Sequence, residues 1–243
     1  MEKKSEILEN FKTAISSTVK SLSNLENVEV SFGNQNTHSK NTLIKLPEVE
    51  EIKNKINYSK IRALADSKSL KIRFSDSKIF KLHAPEGNIA KKLYKIAEKI
   101  RYEKLGSEQF KGVKNNIERY YQERVNSLDL KSSEDKITES FENYLRIKFF
   151  NSKNNKELEK KIKNFRKDFD EKLENKIKKL EDLKHDQARY NSLISQLISK
   201  LSLDESLEEN NKDLEDKNQN QKNDEKQNND DITKKQEQEQ QEM

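Results

Sequence analysis

The sequence predicts an α+β fold in which amphipathic helices pack on a small antiparallel sheet, followed by a long helical extension and a disordered acidic tail. Three observations predict it: short stretches of alternating apolar residues in the first third, apolar residues repeating every 3.6 positions from about residue 88 onward, and almost no apolar residues after residue 203. We divide the chain into residues 1–130, a helical extension over 131–203 and a polar linker or tail over 204–243.

The first elements follow from apolar spacing. Residues 4–22 repeat with helical periodicity, and residues 28–32 alternate as a strand that ends at Gly33. Residues 34–41 are polar and predict a loop, while Pro47 favours an extended segment over 43–49. Residues 52–65 predict a helix. Residues 70–82 then alternate around Ser75-Asp76-Ser77, which predicts a β-hairpin.

The remaining elements are helical. Asn88 is predicted to cap a helix whose inward positions run from Ile89 to Ile100, and Gly106 to be its C-terminal cap. Further helices are expected over 113–125, where Gly112 allows close approach or a bend, and from Ser132 or Ser133 to Phe149, before a turn at 151–155. Residues 156–203 continue the apolar stripe for roughly 70 Å if unbroken, with the expected break at residues 184–186.

Charge is distributed unevenly along the chain. Charged residues make up 38% of the sequence, and residues 204–243 contain 14 acidic and 6 basic side chains, whereas residues 1–203 carry a net positive charge. A basic body can bind nucleic acid or an acidic protein. However, 41 of the 49 basic residues are lysines that alternate with acids, which favours a solvated surface, and nucleic acid is not the partner we expect.

Several classes of protein are excluded or disfavoured. The absence of cysteine excludes disulfides and thiolate metal sites. The sequence contains neither a phosphate-binding glycine loop nor a GxSxG nucleophile motif. No secretory signal or long apolar run is present, so we expect a soluble cytoplasmic protein without a membrane partner.

No catalytic or metal-binding constellation emerges from the residues. His38, His83 and His185 are isolated from one another, and His83 is the only one in a structurally dense stretch. Paired acids such as Glu181-Asp182 lie among lysines and predict a solvated face. The tyrosines Tyr94, Tyr102, Tyr120, Tyr121 and Tyr144 are expected to pack in the core, although a stacking platform is conceivable. The residues therefore predict a noncatalytic interaction module.

The stretch ALADSKSLKIRF followed by HAPEGNIAKKLYKIAEKIRYEKLGSEQFKGVKNNI resembles the N-terminal region of the CobT subunit of aerobic cobaltochelatase. In that family an Ala-Pro step leads into a helix that ends in an R-x-E-x-[LI]-G pattern, before a [KA]-G-V-x-x-N motif. The matching positions here are Ala84, Pro85, Arg101, Glu103, Leu105, Gly106, Lys111, Gly112, Val113 and Asn116. The resemblance implies a structural or partner-contact role for these residues, and no catalytic, cofactor-binding or metal-binding residue.

The resemblance implies a subunit that works with an AAA+ ATPase (CobS-like) and a large tetrapyrrole-binding subunit (CobN-like). That complex inserts Co²⁺ into hydrogenobyrinic acid a,c-diamide, so ATP, Mg²⁺ and Co²⁺ are implied for the complex but not for this chain. Family members continue into a von Willebrand factor A domain with a DxSxS motif, which Asp66-Ser67-Lys68-Ser69 does not match. We therefore expect a truncated or split member, or a fragment.

Two alternatives stay open at this point. The chain could be an adaptor of an AAA+ ATPase that remodels another protein. It could also be a basic helical scaffold or nucleic-acid binder that uses the helix over 156–203.

Overall fold

The computed structural model describes residues 2–33, 42–49, 51–52, 55–56, 58–125, 132–150, 159–160 and 162–201. Helices dominate these residues and pack on a small sheet, which confirms the α+β class. The loop predicted over 34–41, the turn over 151–155 and the disordered tail over 204–243 lie outside the described residues.

The first helix and two strands form a compact layer. Helix α1 spans Glu2–Ser23, strand β1 spans Val28–Phe32 and strand β2 spans Thr42–Leu46. All three elements match the predicted positions, and Gly33 ends β1 with φ 68°, a conformation that glycine adopts without strain. Apolar side chains of α1, β1 and β2, including Ile15, Val28 and Ile44, share one buried cluster.

The direction of this sheet differs from the prediction. Strands β1 and β2 pair in parallel, with Val28 opposite Thr42 and Phe32 opposite Leu46. Apolar alternation shows which face of a strand is buried but carries no information about its direction, which explains the error. Among the described strands, antiparallel pairing occurs only between β3 (Glu51–Ile52) and β4 (Lys55–Ile56).

The predicted β-hairpin over 70–82 is wrong. Helix α2 spans Tyr58–Phe74 and helix α3 spans Ser77–Leu82, so the predicted helix over 52–65 begins later and continues through the first predicted strand. Alternation over five residues is too short to distinguish a strand from a helix whose other face is also covered. The predicted turn is instead a helix junction, where the Asp76 carboxylate accepts hydrogen bonds from the backbone N–H groups of Lys78 (2.6 Å) and Ile79 (3.3 Å).

The next three helices occupy the predicted regions: α4 spans Asn88–Gln109, α5 spans Lys111–Val125 and α6 spans Ser133–Phe150. Two cap predictions are wrong. Gly87 occupies the N-cap of α4, with φ 83°, and Asn88 is the first helical residue. Gly106 lies inside α4, where an added Cβ would overlap Leu70 of α2, so this glycine permits two helices to approach closely. No such approach occurs at Gly112, where an added Cβ meets no atom within 4 Å.

The helical extension is broken where expected. Helix α7 (Arg166–Phe169) continues through a π-helical turn (Asp170–Glu174) into α8 (Asn175–Asp182). The chain then turns at residues 183–186, and the Asp186 carboxylate accepts a hydrogen bond from the N–H of Arg189 (3.1 Å) to cap α9 (Gln187–Ile198). Helix α9 packs against α4 and α3.

Helix α4 is the centre of the packing. Its Leu93, Ala97 and Ile100 side chains join those of α6, α7, α8 and α9 in the largest apolar cluster. Tyr102, in its second half, joins a separate cluster with Leu70 of α2 and Ile117 of α5. The helices on both sides of residue 130 pack on α4. The predicted boundary near that residue stays a prediction.

Candidate functional site

Charged residues are buried on two sides of α4. Arg101 and Glu103 are each 1% exposed, and Glu98 is 2% exposed. Two helical positions differ by about 200° around the axis, so the Arg101 and Glu103 side chains leave α4 on opposite sides. A buried charge requires an ion pair or several hydrogen bonds, and both residues have them.

Arg101 connects three segments of the chain. Its guanidinium pairs with Glu98 through Nε to Oε2 (2.8 Å) and Nη2 to Oε1 (2.7 Å). The same guanidinium donates to the carbonyls of Phe74 (2.5 Å) and Lys184 (2.9 Å). Phe74 ends α2 and Lys184 lies in the turn before α9, where carbonyls lack helical partners. Arg101 therefore fixes the end of α2 and the break in the extension onto α4.

Gln187 and Ser75 complete the same cluster. The Gln187 amide accepts a hydrogen bond from the backbone N–H of Asp76 (2.7 Å) and donates to the Asp76 carbonyl (3.1 Å) and to Glu98 Oε1 (3.1 Å). The Ser75 hydroxyl also donates to Glu98. The start of α3 and the start of α9 are thereby held together.

Glu103 connects α4 to the helices on its other side. Its carboxylate accepts hydrogen bonds from the Ser67 hydroxyl of α2 (2.5 Å) and from Arg146 Nη2 of α6 (2.5 Å). The Arg146 guanidinium also reaches Glu142 (3.2 Å) and stacks over the Tyr121 ring, 3.2 Å from its centroid. Arg146 thus joins α4, α5 and α6 through charge and through ring stacking.

Glu142 is the most heavily paired carboxylate of this network. It accepts from Arg124 Nη1 (2.8 Å) and lies 3.4 Å from Lys99 Nζ, while Arg124 Nη2 also donates to Glu139 (2.5 Å). Burial alone would raise the pKa of Glu142, but the charges of Lys99, Arg146 and Arg124 outweigh burial and hold it well below its usual range. Glu142 therefore stays ionised inside the protein.

The half-buried Asn116 and the buried Val113 of the family pattern also hold helices together. Asn116 of α5 donates through Nδ2 to the Asp66 carboxylate of α2 (2.8 Å). Burial raises the pKa of Asp66 above its ordinary value, although this hydrogen bond and the Arg62 charge oppose the rise. Val113 packs in the cluster with Leu70.

Four positions of the pattern lie at the surface. Ala84, Lys111 and Gly112 are exposed, and Pro85 is half-buried. Ala84 and Pro85 belong to the link between α3 and α4, whereas Lys111 and Gly112 begin α5. Leu105 is buried at the edge of a cleft. The pattern therefore combines a buried set, which fixes helices, with an exposed set that is free to meet another molecule.

An open cleft of about 800 Å³ lies beside Arg101. Its lining includes Arg73, Phe74, Asp76, Arg101, His185 and Gln187. The polar groups of Arg101, Asp76 and Gln187 are already bonded to protein atoms, as described above. The cleft is therefore a groove between helix ends, and these polar side chains in its lining are bonded to those helix ends.

The isolated histidines do not converge. His83 is half-buried after α3, His185 is exposed at the cleft, and His38 lies outside the described residues. Across the part of the chain that the structure describes, no group of three or more His, Asp or Glu side chains could hold a metal ion. Of the tyrosines, Tyr94, Tyr102, Tyr121 and Tyr144 are buried and Tyr120 is partly buried, so these rings serve in packing.

The sequence interpretation missed most of the buried charges. Glu98, Glu139, Glu142 and Arg146 are buried and Arg124 is half-buried, and the sequence interpretation singled out none of them. A signal was present, because Glu98 and Arg101 are three residues apart and Glu142 and Arg146 are four apart, spacings that place each pair on one helix face. These faces adjoin the apolar stripes, which is where a charged pair becomes buried.

The fold and the site define a class: an α+β protein whose charged residues join helices around one central helix. None of the described helices has the length and apolar character needed to span a membrane. No solved structure matches the chain. A family model described as cobalamin biosynthesis protein CobT matches residues 5–243. The chain therefore belongs to the CobT family, which confirms the resemblance seen in the sequence and assigns it to cobalamin biosynthesis.

Proposed function

We propose that this chain is a subunit of an ATP-dependent cobaltochelatase that inserts Co²⁺ into hydrogenobyrinic acid a,c-diamide. The observation that carries the proposal is the family match, which extends over residues 5–243. In the proposed complex a CobS-like AAA+ ATPase hydrolyses ATP with Mg²⁺, and a CobN-like large subunit holds the tetrapyrrole and receives Co²⁺. This chain contributes assembly and has no catalytic site of its own.

The geometry supports this division of work. Polar atoms of three family positions are bonded within the protein: Arg101 to Glu98, Glu103 to Arg146 and Asn116 to Asp66. These side chains therefore stabilise the fold. A partner subunit would therefore contact the exposed surface of the chain. The exposed Ala84 and Gly112 and the half-buried Pro85 are therefore the contacts that we propose for the other subunits.

The test is association with the AAA+ subunit. The purified chain is mixed with that subunit and ATP, and both co-elution and the rate of ATP hydrolysis are measured. We expect a complex that elutes earlier than either component and a changed hydrolysis rate. Absence of association in both assays would refute the proposal.

A matched pair of surface variants locates the contact. Ala84→Glu places a charge at the exposed family position, and Ala14→Glu places the same charge on an exposed position of α1. We expect about a tenfold loss of affinity for Ala84→Glu, which corresponds to one disrupted interface contact. Equal affinities for the two variants would remove residue 84 from the contact but leave the subunit proposal standing.

The alternative is an adaptor that brings an AAA+ ATPase to another protein. Both proposals predict association with the ATPase, so cobalt insertion separates them. Insertion by the large subunit and the ATPase that depends on this chain supports the chelatase. Association with the ATPase, without any effect on insertion or any binding to the large subunit, favours the adaptor.

A further inference from the structure

The cleft beside Arg101 contains an arginine whose charge has no carboxylate partner among the residues that the structure describes. Arg73, the last residue but one of α2, is exposed and lines this cleft. Its Nη1 donates to the Leu22 carbonyl at the end of α1 (3.3 Å). An arginine presents five N–H donors, so donors of Arg73 remain for a ligand.

Two aromatic rings hold the Arg73 guanidinium in place. Its Cζ lies 5.6 Å from the centroid of the Phe74 ring and 5.5 Å from the centroid of the Phe110 ring. Cation–π contacts restrict the side chain but leave its positive charge uncompensated. A guanidinium that is already fixed loses less conformational entropy when a ligand binds. Arg73 is therefore suited to anchor an anionic group.

The other charged groups of the lining are engaged within the protein. Arg101 is paired with Glu98 (2.7 Å), and the Asp76 and Asp186 carboxylates cap helices. The cation that an acidic ligand can neutralise in this cleft is thus Arg73. A multiply charged phosphate group would also face the two aspartates, so the lining favours a single carboxylate.

The same cleft offers apolar surface that is still partly accessible. Phe74, Ile79 and Ala188 line it, and each of them is half-buried. Covering such surface contributes favourable free energy, and an arginine beside it fixes the orientation of the ligand. The ligand that fits is a polypeptide segment with a carboxylate next to an apolar side chain.

The cleft adjoins an exposed part of the family pattern. Phe110, whose ring contacts Arg73, immediately precedes α5. The first two residues of α5, Lys111 and Gly112, are exposed family positions. The contact surface proposed above for the other subunits therefore continues into the cleft.

We propose that a segment of the AAA+ subunit docks in this cleft, with one Asp or Glu carboxylate on Arg73 and an apolar side chain against Ile79. This inference rests on the proposed function and adds the chemistry of the contact. The Arg73 guanidinium donates to the carboxylate, which compensates its charge. The segment also covers the accessible parts of Phe74 and Ala188.

Arginine labelling with phenylglyoxal tests the contact in the unmodified chain. The chain is labelled alone and in the complex with the ATPase, whose formation is checked by co-elution, and mass spectrometry quantifies each modified arginine. Arg119 is the control, because it is exposed on α5 and does not line the cleft. We expect the complex to slow the labelling of Arg73 at least about fivefold and that of Arg119 less than about twofold, because a docked contact excludes reagent and water.

Variants measure the contribution of the charge. Arg73→Gln should weaken the affinity for the ATPase at least about tenfold, whereas Arg119→Gln should change it less than about twofold. His185 is exposed at the cleft, so His185→Glu adds a carboxylate there without disturbing the core. That variant should weaken the affinity about threefold by repulsion, and it keeps the test decisive if Arg73→Gln unfolds.

A complex in which Arg73 is labelled as fast as in the free chain, or in which both arginines are protected equally, would overturn the inference and leave the subunit proposal standing. Unchanged affinity for folded Arg73→Gln and His185→Glu would do the same. Absence of any complex would overturn both proposals. Protection of Arg73 by inorganic phosphate alone would assign the cleft to a small anion and would also overturn the inference.

Discussion

Arg101 shows why a charged residue lies in the centre of this fold. Its guanidinium binds a buried carboxylate and two carbonyls at the ends of other segments, which apolar side chains of the same size could not satisfy. Arg101 and Glu98 are both buried, so removing one of them leaves the other buried and unpaired. The residue is a structural joint between α2, α4 and the turn before α9.

Replacing Arg101 should therefore be costly. Arg101→Ala leaves Glu98 without its cation, and we expect a loss of roughly 3–5 kcal/mol in the free energy of unfolding. The control is Arg189→Ala, because the Arg189 side chain is 77% exposed and its pair with Asp186 (3.4 Å) lies at the surface. That variant should lose less than about 1 kcal/mol. Urea denaturation measures both, and similar losses would contradict the role of Arg101.

The two glycines of the family pattern should respond in opposite directions to alanine. Gly106→Ala forces a methyl group into Leu70 and should destabilise the protein by about 1–3 kcal/mol. Gly112→Ala meets open space in a helix and should stabilise it by up to about 0.5 kcal/mol. Thermal unfolding measures both changes. If Leu70 causes the first effect, Leu70→Ala combined with Gly106→Ala should cost less than the sum of the single changes.

At the scale of elements, the junction between α2 and α3 depends on one cap. The Asp76 carboxylate binds two N–H groups at the start of α3, a helix of only six residues. Asp76→Ala should lose about 0.5–2 kcal/mol, whereas Asp76→Asn retains an accepting oxygen and should lose less. Denaturation of the two variants checks this expectation. Equal losses for the two variants would mean that the charge, and not the cap, is what matters.

The network between α4, α5 and α6 should give the fold a dependence on pH. The pKa of Glu142 is lowered in the folded protein, so its stabilising contribution is fully present above about pH 4.5 and is lost as the pH falls further. Glu142→Gln should therefore destabilise strongly at pH 7 and progressively less toward pH 3. Urea denaturation across this range tests the trend, and a constant difference would contradict it.

Asp66 provides the comparison of opposite sign. The pKa of Asp66 is raised in the folded protein, so the protonated carboxyl favours folding. This contribution to stability is fully present below about pH 3.8 and is lost as the pH rises. Asp66→Asn should therefore improve, relative to the unmodified chain, as the pH is raised toward 7. The same denaturation series measures it, and a change in the direction of Glu142→Gln would show that the network assignment is wrong.

The predictability of these elements depends on a clear apolar stripe and not on length alone, since α2 has 17 residues but was predicted only in part. Helices α1, α4, α5 and α6 each have three or more turns, so their apolar stripes predicted them. The stretch from Leu70 to Leu82 contains only short alternations, and its structure is decided by the covering helices and by the Asp76 cap. Strand direction and the close contact at Gly106 depend on partners distant in sequence, which local spacing does not encode.

At the scale of the whole molecule, the sequence identified the family positions but could not show which of them join helices and which lie at the surface. Arg101, Glu103 and Asn116 became structural joints only when their partners Glu98, Arg146 and Asp66 were located. Ala84, Pro85 and Gly112 became candidate contacts because they are not enclosed. The resulting account is of a scaffold whose interior charges set the positions of its helices, and whose surface we propose as the contact with other subunits.

The most direct test of this account is the mass of the assembly. The chain, the CobS-like ATPase and the CobN-like large subunit are mixed with ATP and Mg²⁺, and light scattering is recorded during size-exclusion chromatography. We predict one species that contains this chain and the ATPase, and that recruits the large subunit. Elution of this chain alone, at its own mass, in every mixture would contradict the account.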